Sequence, residues 1–355
     1  MYCPCWKGYE MSRVTLHDVA VEAGVSDSTV SRALRGLDKV DGRTRARVQD
    51  AARRLRFSFA RNASSLASGK TMRVSIVFAN ALNTWFDSSV LQGAYDVLVR
   101  NKYDVVPNTV RTHEQLNTFF ERLPADGNVD AIIVTSINLG QVESEILGQL
   151  TIPTVGLDSG NLTGFDASVL LDDKRAMREA VGLLKQLGHR RIAFVEQPAP
   201  GDFHFTSQLR ADDFMEAAHQ QGFVGEDAQR FDMGKFSDYY TQDVAVSSAV
   251  ARLLAAEARP TAICVESDDF AISLVAELRH FGIRIPEEMS VIGFDDTNVA
   301  SAVNLTTIHQ NPIEMSRDAA TKALILMRGE HLQEPHSLMT PALVLRGTTA
   351  RAPQQ

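Results

Sequence analysis

After Lys70 the chain alternates short apolar runs with amphipathic stretches, and this alternation constrains the fold more than any other feature. The apolar runs are Val74–Phe78, Tyr103–Val106, Ala131–Val134, Thr154–Leu157, Ile192–Val195, Thr261–Val265 and Ser290–Phe294. Between them lie helical patterns such as Ala176–Leu187, Asp243–Ala256 and Phe270–Phe281. Strands that alternate with helices form parallel sheets covered on both faces. Two such sheets side by side leave a cleft at the carboxyl ends of their strands, where ligands bind. The 355 residues are enough for two or three domains.

Ahead of this region the pattern is different. Val14 to Leu34 read V-T-L-H-D-V-A-V-E-A-G-V-S-D-S-T-V-S-R-A-L. Thr15 is placed to cap a helix on which Leu16, Val19, Ala20 and Ala23 recur at helical spacing. Gly24 supplies a turn. Ser26 then caps a second helix with Val30, Ala33 and Leu34 on its buried face and Asp27, Ser28, Ser31 and Arg32 largely on the other. A third helix, Thr44 to Leu55, offers Val48, Ala51, Ala52 and Leu55 to the same core. Two short helices joined by a glycine turn make a helix-turn-helix, whose second helix enters the major groove of DNA. Spacing alone fits any three-helix bundle equally well.

The wording of the segment is more specific. D-V-A-x-x-A-G-V-S-x-x-T-V-S-R-x-L, followed by V-x-x-x-T-R-x-R-V-x-x-A-A, resembles the lactose-repressor/galactose-repressor (LacI/GalR) family, and the resemblance extends to about Thr349. Further landmarks are L-G-H-R-R-I-A-F from Leu187, R-P-T-A-I from Arg259, P-E-E-M-S-V-I-G-F-D-D from Pro286 and L-T-T-I-H-Q from Leu305. The resemblance implies an all-α helix-turn-helix headpiece and an α/β periplasmic-binding-protein-like core of two doubly wound subdomains. The expected boundaries are a leader at 1–11, the headpiece at 12–58, a hinge helix and linker at 59–71, the core at 73–349 and a tail at 350–355. Within the core, one subdomain is expected at 73–188 with 310–330 and the other at 189–309 with 331–349.

Charge is divided accordingly. The chain carries −8 overall, whereas Met11–Met72 holds 12 Lys and Arg against 6 Asp and Glu, a segment charge of +6 that leaves −14 for the rest. A small basic module on an acidic body attracts phosphates at one end only.

For the headpiece, Arg32 can pair bidentately with guanine O6 and N7, worth about 1–3 kcal/mol of discrimination. Asp27 and Ser28 occupy the positions where family members vary to choose their operators. A carboxylate at Asp27 can accept from cytosine N4, or it can simply favour the helix dipole. Thr15, Ser26, Thr29 and Ser31 suit phosphate oxygens, which fix register without reading sequence. Arg61–Gly69 matches the family's hinge helix, with Asn62 a DNA contact and Leu66 either the minor-groove wedge or an ordinary linker residue. Phe59 stands where the family usually has Pro, and Phe57 replaces Tyr.

For the core, the resemblance places Arg210, Asp295, Gln310 and the Ser267–Asp268 pair on one wall of the cleft, with Asn83, Trp85 and Phe86 opposite. Carboxylates and amides that engage paired hydroxyls, beside aromatic faces, suit a sugar or sugar derivative. Trp85 and Phe86 could instead be core. Asp296 reads as a helix cap, and His189 and Asp172 as structural. Ser267 replaces the family's common Asn, and Asp213 replaces Gly. With Asp212 it adds acid near the expected mouth, which disfavours a strongly anionic ligand if either points inward.

Other classes lack their signatures. The chain has no G-x-G-x-x-G, P-loop, G-x-S-x-G or clustered His/Cys spacing, so neither an enzyme nor a cofactor or metal protein is indicated. Cys3 and Cys5 form a lone Cys-x-Cys, a weak metal or redox signal in a leader that lacks a signal peptide's apolar stretch, and Cys264 follows apolar Ala262 and Ile263. Translation can start at Met1 or Met11. A cytoplasmic, nucleoid-associated location is expected, as no run of 18 apolar residues occurs. The expected partners are palindromic operator DNA, a small sugar-like effector and a second copy of the chain. The end at Gln355, without leucine heptads, favours a homodimer over a tetramer. Repression released by an inducer is the expected logic, and a corepressor arrangement stays open.

Overall fold

A computed structural model describes residues 14–34, 40–55, 57, 70–199, 201 and 203–354. It divides into two compact units, Met1–Thr71 and Met72–Gln355.

The first unit holds α1 (Leu16–Ala23), α2 (Asp27–Leu34) and α3 (Gly42–Arg54). Thr15 begins α1 with a capping box shared with Asp18, and Gly24 ends it in the left-handed conformation at φ 62°. The third helix starts two residues earlier than its periodicity predicts, because the Asp41 carboxylate accepts from the amides of Arg43 and Thr44. Val19, Ala20, Ala23, Val30, Ala33, Val48, Ala51 and Ala52 form the core. These small side chains let three short helices approach closely. Arg54 on α3 ties back to Glu22 on α1 at 3.1 Å.

The second unit contains two six-stranded sheets. Its first half runs β1 (Arg73–Phe78), α4 (Trp85–Leu98), β2 (Asp104–Thr109), α5 (His113–Asp126), β3 (Ala131–Thr135), α6 (Gln141–Gly148), β4 (Thr154–Leu157), β5 (Ala167–Leu171) and α7 (Asp173–Gln186). The second half runs β6 (Ile192–Val195), α8 (Leu209–Gln220), β7 (Ala228–Phe231), α9 (Gln242–Ala255), β8 (Ala262–Val265), α10 (Asp268–His280), β9 (Ser290–Asp295), α11 (Asn298–Ala302) and β10 (Thr306–His309). The chain closes with α12 (Pro312–Met327), β11 (His336–Met339) and β12 (Ala342–Val344). Strand order is β11-β5-β4-β3-β1-β2 in one sheet and β12-β10-β9-β8-β6-β7 in the other. All pairings are parallel except β10 with β12. Buried on both faces, β3, β6 and β8 are continuous apolar runs, which is why they stood out in the sequence, whereas the equally interior β5 and β10 were not expected.

The expected assignment of 331–349 to one subdomain needs correction. His336–Met339 pairs with β5 in the first sheet, and only the segment from Ala342 joins the second. The Lys322 ammonium fixes this placement, donating to the carbonyls of Ser168, Glu334 and Pro335 at 2.9–3.1 Å. The chain therefore passes between the sheets after β5, after β10 and again between β11 and β12.

His189 is buried between Thr261 and the Ala350 carbonyl, and Asp172 caps α7. Asp296 is not a helix cap. Thr297 caps α11, while Asp296 pairs with His309 at 3.0 Å and Arg346 at 2.5 Å. Cys264 is buried on β8, where burial pushes its thiol far up and leaves it protonated. Cys3 and Cys5 lie outside the described residues. Among the described residues no helix is long and apolar enough to cross a membrane, and no group of three or more His, Cys, Asp or Glu is placed to hold a metal.

Candidate functional site

A cavity of about 360 Å³ lies where the strands of both sheets end. Its lining follows from the topology: Asn80 comes after β1, Ser136 after β3, Asp158 after β4, Gln197 after β6, Glu266 after β8 and Gln310 after β10. Three lining residues at strand ends have positive φ without being glycine: Ser136 at 57°, Asp158 at 51° and Asp295 at 119°. Such conformations cost about 1–3 kcal/mol each and collect at functional sites. They break the strand and present the side chain at its mouth.

Arg210 anchors the polar wall. It is buried on α8, its Nε donates to Asp173 Oδ1 at 3.1 Å and its Nη1 to the Glu266 carbonyl at 3.0 Å. The guanidinium lies 3.5 Å from the centre of the Phe294 ring. Burial works against its charge, but Asp173, Asp295, Asp158 and Glu266 outweigh that and keep it firmly protonated. Asp295 accepts from Gln310 Nε2 at 2.6 Å. Burial pushes its carboxyl up to about 8, against the pull of Arg210 and Gln310. Burial, reinforced by the nearby Asp173 charge, raises Asp158 to about 7. Glu266 is also raised by burial, though its carboxylate accepts from Ser207 Oγ at 2.7 Å and from the Gln197 amide at 3.0 Å.

Of the eight expected core residues, Trp85, Phe86, Arg210, Ser267, Asp295 and Gln310 line this cavity. Trp85 and Phe86 open α4 and are partly buried. Ser267 caps α10, and its hydroxyl also donates to Gln197 Oε1 at 2.8 Å. Asn83 is exposed and outside the lining, because the tight turn from Ala81 to Thr84 sets it on the outer corner. Asp268 is fully buried and faces away. Its carboxylate accepts from the Thr297 amide at 2.9 Å and from Thr307 Oγ1 at 2.6 Å, so it ties α10 to the ends of β9 and β10. Its neighbour Asp269 lines the cavity instead. Neither Asp212 nor Asp213 points in. Asp212 is exposed and pairs with Arg230 at 2.7 Å, and Asp213 lies farther along α8 than Arg210, off the cavity face.

A larger hollow, about 840 Å³, lies between β1–β2 and α5. Its lining contributes no buried polar side-chain atom without a partner among the described residues, whereas the strand-end cavity has two, Asp158 Oδ1 and Gln310 Oε1. A built polar site that lacks its partner is a stronger mark of binding than volume.

On the headpiece, α2 exposes Asp27, Ser28 and Arg32, with Thr29 and Ser31 partly covered. Ser26 Oγ caps the helix through the Thr29 amide at 3.3 Å and touches the Ser28 and Thr29 hydroxyls at 2.9 Å. Thr15 Oγ1 donates to Asp18 at 2.8 Å. Asp27 lies 3.2 Å from His17 Nδ1, a partner the sequence reading missed. Asn62 and Leu66 lie outside the described residues.

Two family models match the chain. Residues 15–58 match the bacterial regulatory proteins of the lacI family, and residues 181–349 match a periplasmic binding protein-like domain. The chain is similar to the HTH-type transcriptional repressor CytR of Escherichia coli strain K12, 29% identical over 96% of this chain and 97% of the relative. It is also similar to catabolite control protein A of Priestia megaterium, 28% identical over 84% of this chain and 87% of the relative. Among solved structures, a lac repressor dimer bound to operator and an anti-inducer superposes with a TM-score of 0.83 at 25% identity, covering 96% of this chain and all of that one.

Proposed function

From a chain built as a LacI-family helix-turn-helix domain followed by a periplasmic-binding-protein-like domain, we propose a sequence-specific transcriptional repressor controlled by a small sugar-like effector. The observation that carries the reading is the exposed polar face of α2 within the segment that matches the lacI family. Arg32 reads guanine, Asp27 and Ser28 contact neighbouring bases, and Thr15, Ser26, Thr29 and Ser31 hold phosphates. Asn62 and Leu66 extend the contact into the minor groove at the operator centre.

The effector occupies the strand-end cavity against Trp85, Phe86, Arg210, Ser267, Asp295 and Gln310. Two copies of the chain present two headpieces to a roughly palindromic operator, so half-site spacing mirrors the symmetry of the dimer. A ligand that prefers one relative placement of the two sheets shifts operator affinity, and the operator shifts ligand affinity by the same factor. Release by an inducer is the proposed sign.

Selection of bound sequences from random duplex DNA tests this, run at stated salt because phosphate contacts make affinity salt-dependent. A recovered palindrome supports the reading, and no enrichment over non-specific binding overturns it. Arg32→Ala should lose about 1–3 kcal/mol of base discrimination while keeping much of the non-specific affinity. Equal loss of both makes Arg32 a phosphate contact only.

A further inference from the structure

The charges around the strand-end cavity are unbalanced. Among the described residues its lining holds four carboxylates, Asp158, Glu266, Asp269 and Asp295, against a single cationic side chain, Arg210. That guanidinium is already engaged by Asp173, by the Glu266 carbonyl and by the face of Phe294. Glu266 has its own donors in Ser207 and Gln197. The remaining carboxylates lack comparable support.

The unpartnered atoms have one chemical sense. Asp158 is 3% exposed and Gln310 4% exposed; both line the cavity, and Asp158 Oδ1 and Gln310 Oε1 have no hydrogen-bond partner. Both atoms are acceptors. A carboxylate has no hydrogen to give them, and a carboxylate or phosphate would meet like charge. A hydroxyl could donate, but wherever Asp158 or Asp295 is ionised it would leave that buried charge uncompensated, which is costly in a poorly solvated site.

We propose that the effector carries a cationic nitrogen, such as a protonated amine, which the carboxylates of this cavity hold and which donates to Asp158 Oδ1 or Gln310 Oε1. The proposal rests on reading this cavity as the effector site and gives the effector its chemical class. A protonated amine has three donors and one positive charge, which answers both deficits. Without it, protons play the same part. Asp158, facing Asp173 and Arg210, rises to about 7, and Asp295, facing Arg210, Asp268, Asp269 and Gln310, rises to about 8. A cation displaces these protons, so its binding strengthens as pH rises through 7 and 8. An uncharged polyol has no reason to displace them.

The full chain is tested by thermal melting and titration calorimetry with glucosamine against glucose, galactosamine against galactose, and agmatine and spermidine as cations outside the sugar class. We expect at least one cation to raise the melting temperature, and any amino sugar that does so to bind at least tenfold tighter than its uncharged counterpart. For agmatine or spermidine, which stay cationic throughout, affinity should rise about tenfold between pH 6.5 and 8.5, with protons released; an amino sugar loses its own proton near pH 8 and should bind best at about pH 7.5. Asp295→Asn keeps the shape and the acceptor but not the charge, and should weaken that cation at least tenfold without lowering the melting temperature. Equal binding of the uncharged counterpart, no response to any cation, or full retention of cation affinity in Asp295→Asn overturns the proposal. Operator selection separates the two readings. An uncharged ligand that alters operator affinity leaves the regulator standing and removes the cation; cation binding without operator binding does the reverse.

Discussion

Gln310 and Asp295 meet where β9 and β10 end: Gln310 Nε2 donates to Asp295 Oδ1 at 2.6 Å, and Gln310 Oε1 stays buried with no partner. The pair is half satisfied, and both residues belong to the cavity lining. Asp295 also sits at φ 119°, a conformation that disfavours any side chain. Stability has been given up here for a carboxylate in a set position.

Asp295→Asn should therefore stabilise the chain near neutral pH. The folded carboxyl titrates at about 8 against an ordinary 3.8, so the native state keeps a proton that the unfolded chain releases. Stability is greatest below the ordinary value and is lost as pH rises towards 8, by up to about 1.4 kcal/mol per pH unit for one proton. Urea denaturation from pH 4 to 9 should show a shallower fall for Asp295→Asn than for the native chain. Parallel curves would mean that Asp295 ionises normally. The same variant should blunt the operator response to effector.

Arg210 and Asp173 behave in the opposite way. Both are buried, and removing the guanidinium strands Asp173 together with the other carboxylates around it. Arg210→Ala should cost about 3–5 kcal/mol, the usual penalty for breaking a buried pair. Arg210→Lys should recover only part of this, because an ammonium cannot pair with Asp173, reach the Glu266 carbonyl and lie flat on Phe294 together. Thermal melting of both variants checks it. Full recovery by lysine would reduce Arg210 to a point charge.

Asp268 and Asp269 are adjacent and have separate duties. Asp268→Ala removes the acceptor for the Thr297 amide and Thr307 Oγ1, and should lower stability by about 1–3 kcal/mol for the buried donors it strands. Asp269→Asn should leave melting unchanged and weaken effector binding. Calorimetry and melting on the two variants separate the roles. If Asp268→Ala melts as the native chain while effector binding is lost, Asp268 belongs to the site after all.

That pair also shows what the sequence can and cannot convey. Strands such as Ala131–Thr135 were legible because burial on both faces makes them uninterrupted apolar runs, whereas interior β5 and β10, broken by Ser168 and by Thr306 and Thr307, were not. The edge strand Ala228–Phe231 was not, since Gln229 and Arg230 interrupt it. β11 is half exposed and reads as linker, so its return to the first sheet was invisible. At the cavity the resemblance supplied Arg210, Asp295 and Gln310, but a helix start offers several side chains within one turn. Which of Asp268 and Asp269 faces inward depends on contacts to Thr297 and Thr307, distant in sequence. Asp158 and Ser136 were missed, yet each directly follows an apolar strand, and that position was the available signal.

Asp27 is the least expected residue on the α2 face, since a carboxylate repels phosphate. It is exposed, at the first turn of α2, and 3.2 Å from His17. An exposed pair of this kind contributes about 0–1 kcal/mol to stability, so stability alone gives little reason for an acid at this place. Asp27→Asn exchanges an acceptor suited to cytosine N4 for an amide that pairs with adenine N6 and N7. The sequences recovered from random duplex DNA should change at one position per half-site, in favour of adenine. Non-specific affinity should also rise, as one negative charge leaves the groove. If affinity rises for all sequences and the recovered site is unchanged, Asp27 does no more than favour the positive end of its own helix.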